Sequence, residues 1–175
     1  ISFGVILFFF PFFERKYLKS KWFSSKKGIK WLFQALVFQK FLRINSHIPF
    51  PISSNLTISN VDNLEFDIDD INNFQTFGCY FQNLSAKIII GKGTYIAPNV
   101  GIITTNHKPD NLAEHLEGKD VIIGKKCWIG MNAIILPGVQ LGDKTIVGAG
   151  SVVTKSFLEG NCVIAGNPAK VIKHI

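Results

Sequence analysis

Between Val121 and Leu158 an aliphatic residue returns at every sixth position: Ile123, Ile129, Ile135, Leu141, Val147 and Val153. As hexads the stretch reads I-G-K-K-C-W, I-G-M-N-A-I, I-L-P-G-V-Q, L-G-D-K-T-I and V-G-A-G-S-V, each unit broken by Gly, Asn, Asp or Pro. Six is not a helical period, and β-branched runs cut by turn residues predict short strands. Such strands, repeating in register, stack into an all-β solenoid. The fifth hexad place holds Cys127, Ala133, Val139, Thr145 and Ser151, small residues expected to point inward. The same phase is clear over Leu84, Ile90, Ile96 and Ile102. Earlier it is weaker: Ile52, Ile58 and Leu64, then Ile71 and Phe77 after a slip of one residue.

The repeat breaks once in its later half. From His107 to Asp120 the chain reads HKPDNLAEHLEGKD, and Ile123 lies 21 residues after Ile102, not a multiple of six. This predicts a loop extruded from the solenoid wall at about 108–120, carrying His115 and opening at His107. Loops on a rigid scaffold often carry function.

The first 47 residues have a different pattern. ISFGVILFFFPFF is apolar but too short to span a bilayer, and it lacks the order of charges and the cleavage site of a signal peptide. Ile1 opens the chain and the only methionine is Met131, leaving room for an upstream extension. Cations interleaved with Tyr17, Trp22 and Phe23 suit a lipid headgroup layer. Gly28 to Asn45 reads as a helix with apolar residues around most of its circumference, to be buried against a membrane interface, the solenoid or a neighbouring subunit.

Charge sharpens that division. Residues 1–47 hold nine Lys/Arg and one acid, whereas 48–175 hold ten Lys/Arg and eleven acids, so the net +7 belongs to the N-terminal segment. A solenoid without net positive charge argues against nucleic acid as partner. We therefore expect a basic, largely helical arm over 1–47, either associating peripherally with a membrane through residues 1–45 or packing on the solenoid or a neighbouring subunit, and a solenoid domain over 48–175. Cys79, Cys127 and Cys162 fit neither a disulfide framework nor a zinc pattern, which implies a reducing, cytoplasmic setting, at the inner membrane face if the arm binds lipid.

The stretches IGKGTYIAPNVGIITTNHKP, VIIGKKCWIGMNAIILPGVQLGDKTIVGAGSVVTKSF and VIAGNPAKVIK resemble the hexapeptide-repeat acyltransferases. The likeness is greatest to the maltose, galactoside and polysaccharide O-acetyltransferases, and it runs from about Gly78 to the C-terminus. It implies a left-handed parallel β-helix, three hexads per triangular turn, and a homotrimer with active sites between subunits. The basic arm is similar to that of capsule-type members.

The resemblance also implies a chemistry. An acetyl group moves from the thioester of acetyl-CoA to a hydroxyl that must lose its proton, without a metal. His107 falls on the family's catalytic histidine, and an imidazole titrating near neutrality suits a general base. His115 is the competing base; Asp110, Glu114, Glu117 or a backbone carbonyl would orient the ring. The backbone N–H of Met131, after Trp128, Ile129 and Gly130, would meet the developing oxyanion. Trp128, Gly130, Ala149, Thr154, Lys155 and Lys170 would line the cofactor groove, the lysines meeting phosphates. Asn83, with Gln82 beside it, resembles a sugar-binding asparagine.

The leading expectation is an O-acetyltransferase for a sugar hydroxyl of a bacterial surface polysaccharide or its precursor. The alternatives are an acetyltransferase for a soluble sugar, sugar nucleotide or small amine, and an inactive β-helix scaffold. A zinc carbonic anhydrase on the same solenoid would need three histidines, and His47 and His174 are too far along the chain to join His107 and His115.

Overall fold

The computed structural model describes Phe9 and residues 11–175. The start of the apolar run, residues 1–8 and 10, lies outside the described residues, and with it that part of the expected arm.

Fourteen strands among the described residues, β1–β14 in chain order, form three sheets whose membership rotates along the chain. The first face holds β1 (Thr57–Ile58), β3 (Tyr80–Gln82), β6 (Gly101–Ile103), β9 (Ile134–Ile135) and β12 (Val152–Val153). The second holds β2 (Leu64–Phe66), β4 (Ile88–Ile90), β7 (Val121–Ile123) and β10 (Gln140–Leu141). The third holds β5 (Tyr95–Ile96), β8 (Trp128–Ile129), β11 (Ile146–Val147), β13 (Cys162–Gly166) and β14 (Ala169–His174). Every pairing is parallel except the closing β13–β14 hairpin, so the chain winds as a three-sided solenoid.

Register explains the hexads. Ile102 aligns with Ile135 and Ile135 with Val153 on the first face, while Ile123 aligns with Leu141 and Ile129 with Val147 on the others. All are buried, as are the fifth-place residues from Cys127 to Ser151. The inward hydroxyls are satisfied by the wall: Thr94 and Thr145 donate to the carbonyls of Gly124 and Gly142, both at 2.7 Å. Corners turn through one residue with positive φ per hexad: Gly93, Asn99, Lys126, Asn132, Gly138, Lys144 and Gly150. Asn and Gly suit that conformation; the two lysines adopt it at some cost because the coil on either side imposes it.

The early phase differs from expectation. Phe77 and Leu84 are exposed, and Phe81 takes the inward place, aligned with Ile58 and Ile102. The cause is a 3-10 segment, Ile68–Gln75, that replaces a strand on the third face and lengthens that coil. Its side chains substitute for the missing ladder: Asn73 donates to the Thr94 carbonyl at 2.8 Å and accepts from the Ile96 N–H at 3.0 Å, and Asp70 accepts from the Gly93 N–H at 2.6 Å. Burial pushes the Asp70 carboxyl above the usual carboxylate range.

In the arm, the helix α1 spans Lys26–Ala35 and continues as a π-helical turn over Leu36–Phe41, so it begins and ends earlier than Gly28 to Asn45. Ser25 caps it by accepting from the Gly28 N–H, and Arg43 with positive φ ends the run. Gly28 is required there, since a Cβ would lie 2.1 Å from the Trp22 carbonyl oxygen. One side of α1 packs on the first coil. Leu32 and Ala35 join the core, Gln39 bonds the carbonyl of Phe50 and the N–H of Ile52, and Trp22 donates to the Asp69 carbonyl at 2.8 Å. Rings of Tyr17, Phe50, Phe66, Phe74 and Phe81 close the solenoid's end beneath it. Among the described residues no helix is long and apolar enough to cross a membrane.

Candidate active site

His107 stands where the chain leaves the first face after β6 and does not yet enter β7, at the corner between the first and second faces. The excursion starts at Thr104, a few residues before the 108–120 span. It is an ordered hairpin, not a free loop. Lys119 N–H donates to the Thr104 carbonyl, Leu116 N–H to that of Asn106, and an isolated bridge joins His107 to His115 across the two arms of the excursion. The tip is held by an ion pair of Lys108 with Glu114 and by Asn111, which donates to Glu114 at 2.9 Å.

The His107 ring is oriented by backbone. Its Nδ1 lies 2.7 Å from the Leu112 carbonyl oxygen, which can only accept, so Nδ1 carries a hydrogen and, in the neutral ring, Nε2 carries the lone pair. Glu114 is committed to Lys108 and Asn111, which leaves the ring to the carbonyl. His115 packs on His107 with ring centroids 4.3 Å apart and planes inclined by 36°.

Gln82, one coil below, carries the base of the excursion. Its Oε1 accepts from the N–H groups of Thr104 at 3.0 Å and Thr105 at 3.2 Å, and its Nε2 donates to the Thr105 carbonyl. Thr105 in turn donates its hydroxyl to the Leu116 carbonyl at 2.8 Å. Asn83 is fully buried, accepting from the Asn60 N–H at 3.0 Å and donating to the Asn60 carbonyl at 2.6 Å. Neither amide is turned out toward a ligand in this chain; both brace the wall. Only the environment of the neighbouring backbone distinguishes such an amide from a sugar-binding one, and a linear motif does not carry it.

Above them a groove of about 410 Å³ opens at the same corner, lined by Asn106, Leu116, Glu117, Lys119, Leu136, Pro137 and Thr154. Of these, sequence reasoning identified only Thr154 as a ligand contact. Lys155 follows it, its ammonium 5.7 Å from the centroid of Phe157.

Trp128, Gly130, Met131 and Ala149 lie elsewhere. They belong to the third face and to the corner where it meets the first, since Met131 and Ala149 follow β8 and β11 and precede β9 and β12. Lys170 is on β14 of that same third face. Ala149 therefore does not share a groove with Thr154 and Lys155 inside one chain. A Cβ at Gly130 would lie 2.6 Å from the Val147 carbonyl oxygen and 2.7 Å from the Ala149 N, so glycine is what lets the two coils approach. The N–H groups of Met131 and Ala149 donate to no group among the described residues, and both residues are exposed. Trp128 is 56% exposed beside them.

Cys127 is sealed in the interior, its Sγ 3.4 Å from the Gly142 carbonyl, and burial pushes its thiol pKa up, which suits packing and not nucleophilic attack. Among the described residues no cluster of three or more His, Cys, Asp or Glu side chains is placed to hold a metal ion.

Comparison with known proteins adds the lineage. Residues 120–155 match the bacterial transferase hexapeptide (six repeats). A maltose O-acetyltransferase of Clostridium difficile is 38% identical, with a TM-score of 0.51 over 69% of this chain and 59% of that one. A hexapeptide-repeat acetyltransferase of Vibrio cholerae, solved with acetyl coenzyme A, is 27% identical, with a TM-score of 0.52 over 56% of this chain and 54% of that one. A candidate lipopolysaccharide-biosynthesis O-acetyl transferase of Escherichia coli is 41% identical over 101 residues, half of either chain. In its repeat, its coil and these relatives, the chain is similar to the hexapeptide-repeat transferases. It spans about half the length of the curated relatives it matches.

Proposed function

We propose that the chain is an acetyl-CoA-dependent O-acetyltransferase that esterifies a sugar hydroxyl of a bacterial surface polysaccharide or its precursor. In this reading a left-handed β-helix over 48–175 carries the site, and the described part of the arm over 1–47 sits on its first coil. The observation that carries it is the His107 ring, fixed through Nδ1 by the Leu112 carbonyl, in the residue that follows Asn106 of the groove lining. The O-acetyltransferase names of the maltose and lipopolysaccharide relatives support the acceptor class. The three buried thiols agree with a cytoplasmic setting.

The thioester supplies an activated acetyl group. His107 Nε2 takes the acceptor's hydroxyl proton as that oxygen attacks the thioester carbonyl. The C–S bond breaks as the ester C–O bond forms, and the imidazolium returns its proton to the leaving thiolate. The unengaged N–H groups of Met131 and Ala149 fit this substrate: the first meets the carbonyl oxygen as it gains charge, the second an amide of the pantetheine arm. Trp128 and Lys170 flank that path.

These donors and His107 occupy different corners of one prism, so the reading requires a second copy. A homotrimer that sets the third–first corner of one copy against the excursion of the next assembles all of them, with one site per interface. Acetyl-CoA turnover with a panel of saccharide acceptors tests the base. His107→Ala should lower kcat by about 10²–10⁴-fold with the fold intact. Unchanged turnover in that variant removes His107 from the reaction.

A further inference from the structure

The side of α1 that faces away from the solenoid is apolar and open. Phe33, Val37, Phe41, Leu42 and Ile44 are exposed together, Phe41 at 82%. Leu36, Val37, Lys40 and Phe41 line a groove of about 420 Å³ there, with Phe12 at its edge. Burying Leu32, Ala35 and Gln39 against the first coil has used only one side of the helix. Solitary exposed apolar residues are ordinary, but a contiguous set on one helix end marks an interaction surface.

Charge identifies the partner. Lys26, Lys27 and Lys30 occupy the exposed first half of the same helix, and Arg43 follows its end. None of these four has an acidic partner among the described residues. The arm's single acid, Glu14, is spent on Lys16 at 2.9 Å. Lys40 lays its stem along the apolar end, its ammonium 5.0 Å from the centroid of Phe13, the posture of a lysine reaching from an apolar layer to a polar one. A protein interface of a trimer would have to bury these unpaired cations, whereas a layer of anionic headgroups above acyl chains neutralises them and accepts the rings.

We infer that this face of the arm docks flat on an anionic lipid bilayer, with Phe33, Val37 and Phe41 in the acyl boundary and Lys26, Lys27, Lys30 and Arg43 among the headgroups. The helix lies in the interface plane and does not cross. The inference stands apart from the acyl-transfer reading: a chain without transferase activity would dock in the same way, and an active one could fail to dock.

Cosedimentation of the full chain with vesicles of phosphatidylcholine, alone or mixed with phosphatidylglycerol, tests it. Binding is expected to the mixed vesicles only and to weaken with salt. Val37→Ser with Phe41→Ser, both exposed and so harmless to the fold, should abolish it. Lys26→Gln, Lys27→Gln and Lys30→Gln together should weaken it on the order of 100-fold. Absence of binding by the parent chain overturns the proposal, and so does binding that survives the serine pair. Sedimentation equilibrium without lipid reads the competing occupant: a serine pair that dissociates the oligomer would assign the face to a second copy and equally overturn the proposal.

Discussion

His107 and Gln82 do different work. The histidine presents a ring oriented through Nδ1, while the glutamine holds the backbone from which that ring is presented. Truncating Gln82 leaves the Thr104 side of the coil without its buried acceptor and should cost about 1–3 kcal/mol. Gln82→Ala is therefore expected to lower the urea midpoint and, by displacing the excursion, to lower kcat as well. A purely saccharide-binding Gln82 would raise KM and leave the midpoint alone. The exposed Lys108–Glu114 pair gives the scale, since surface pairs of this kind are worth about 0–1 kcal/mol. The place of His107 at the mouth of the excursion was legible in the sequence because the period fails there. A backbone carbonyl was among the expected orienting partners, but not that it is the one of Leu112, because the path of the backbone sets it and no side-chain letter records it.

The coils show why periodicity is easy to read in one half and misleading in the other. Ile123, Ile129 and Ile135 are each aligned with the residue 18 on, Leu141, Val147 and Val153, so there the pattern is the structure. Before that, the Ile68–Gln75 segment forms the coil with side-chain bonds, and inward places pass from Phe77 to Phe81 without any change in local composition. The same segment makes a pH prediction. Burial raises the folded Asp70 pKa above its ordinary unfolded value, so the folded state holds this proton more tightly. Stability contributed here is present below the ordinary carboxylate range and falls as pH rises through the raised value. Asp67 has the opposite sign, held low by the Asp69 N–H and Lys92, so only a difference between variants isolates Asp70. Asp70→Asn keeps an oxygen for the Gly93 N–H and should gain stability relative to the parent as pH goes from about 4 to about 7 in urea melts. A constant difference across that range would mean that the carboxyl is not destabilised on folding.

For the whole molecule, the placement of the candidate residues at two corners is the feature no linear motif displays. His107 and Met131 are only 24 residues apart in the chain, and β7 and β8 carry them round two sides of the prism. The hexad count fixes how many strands stack on each face, but not which corner of one copy meets which corner of the next. Co-expressing two inactive variants measures that arrangement: His107→Ala, which keeps the Met131 N–H, and Met131→Pro, which removes that N–H and keeps the histidine. If the site is shared between neighbouring copies of a trimer, random assembly restores one intact interface in each mixed trimer and about one quarter of parental acetyl-CoA turnover. Turnover no greater than that of the two variants assayed separately would contradict a site built from His107 of one copy and Met131 of the next.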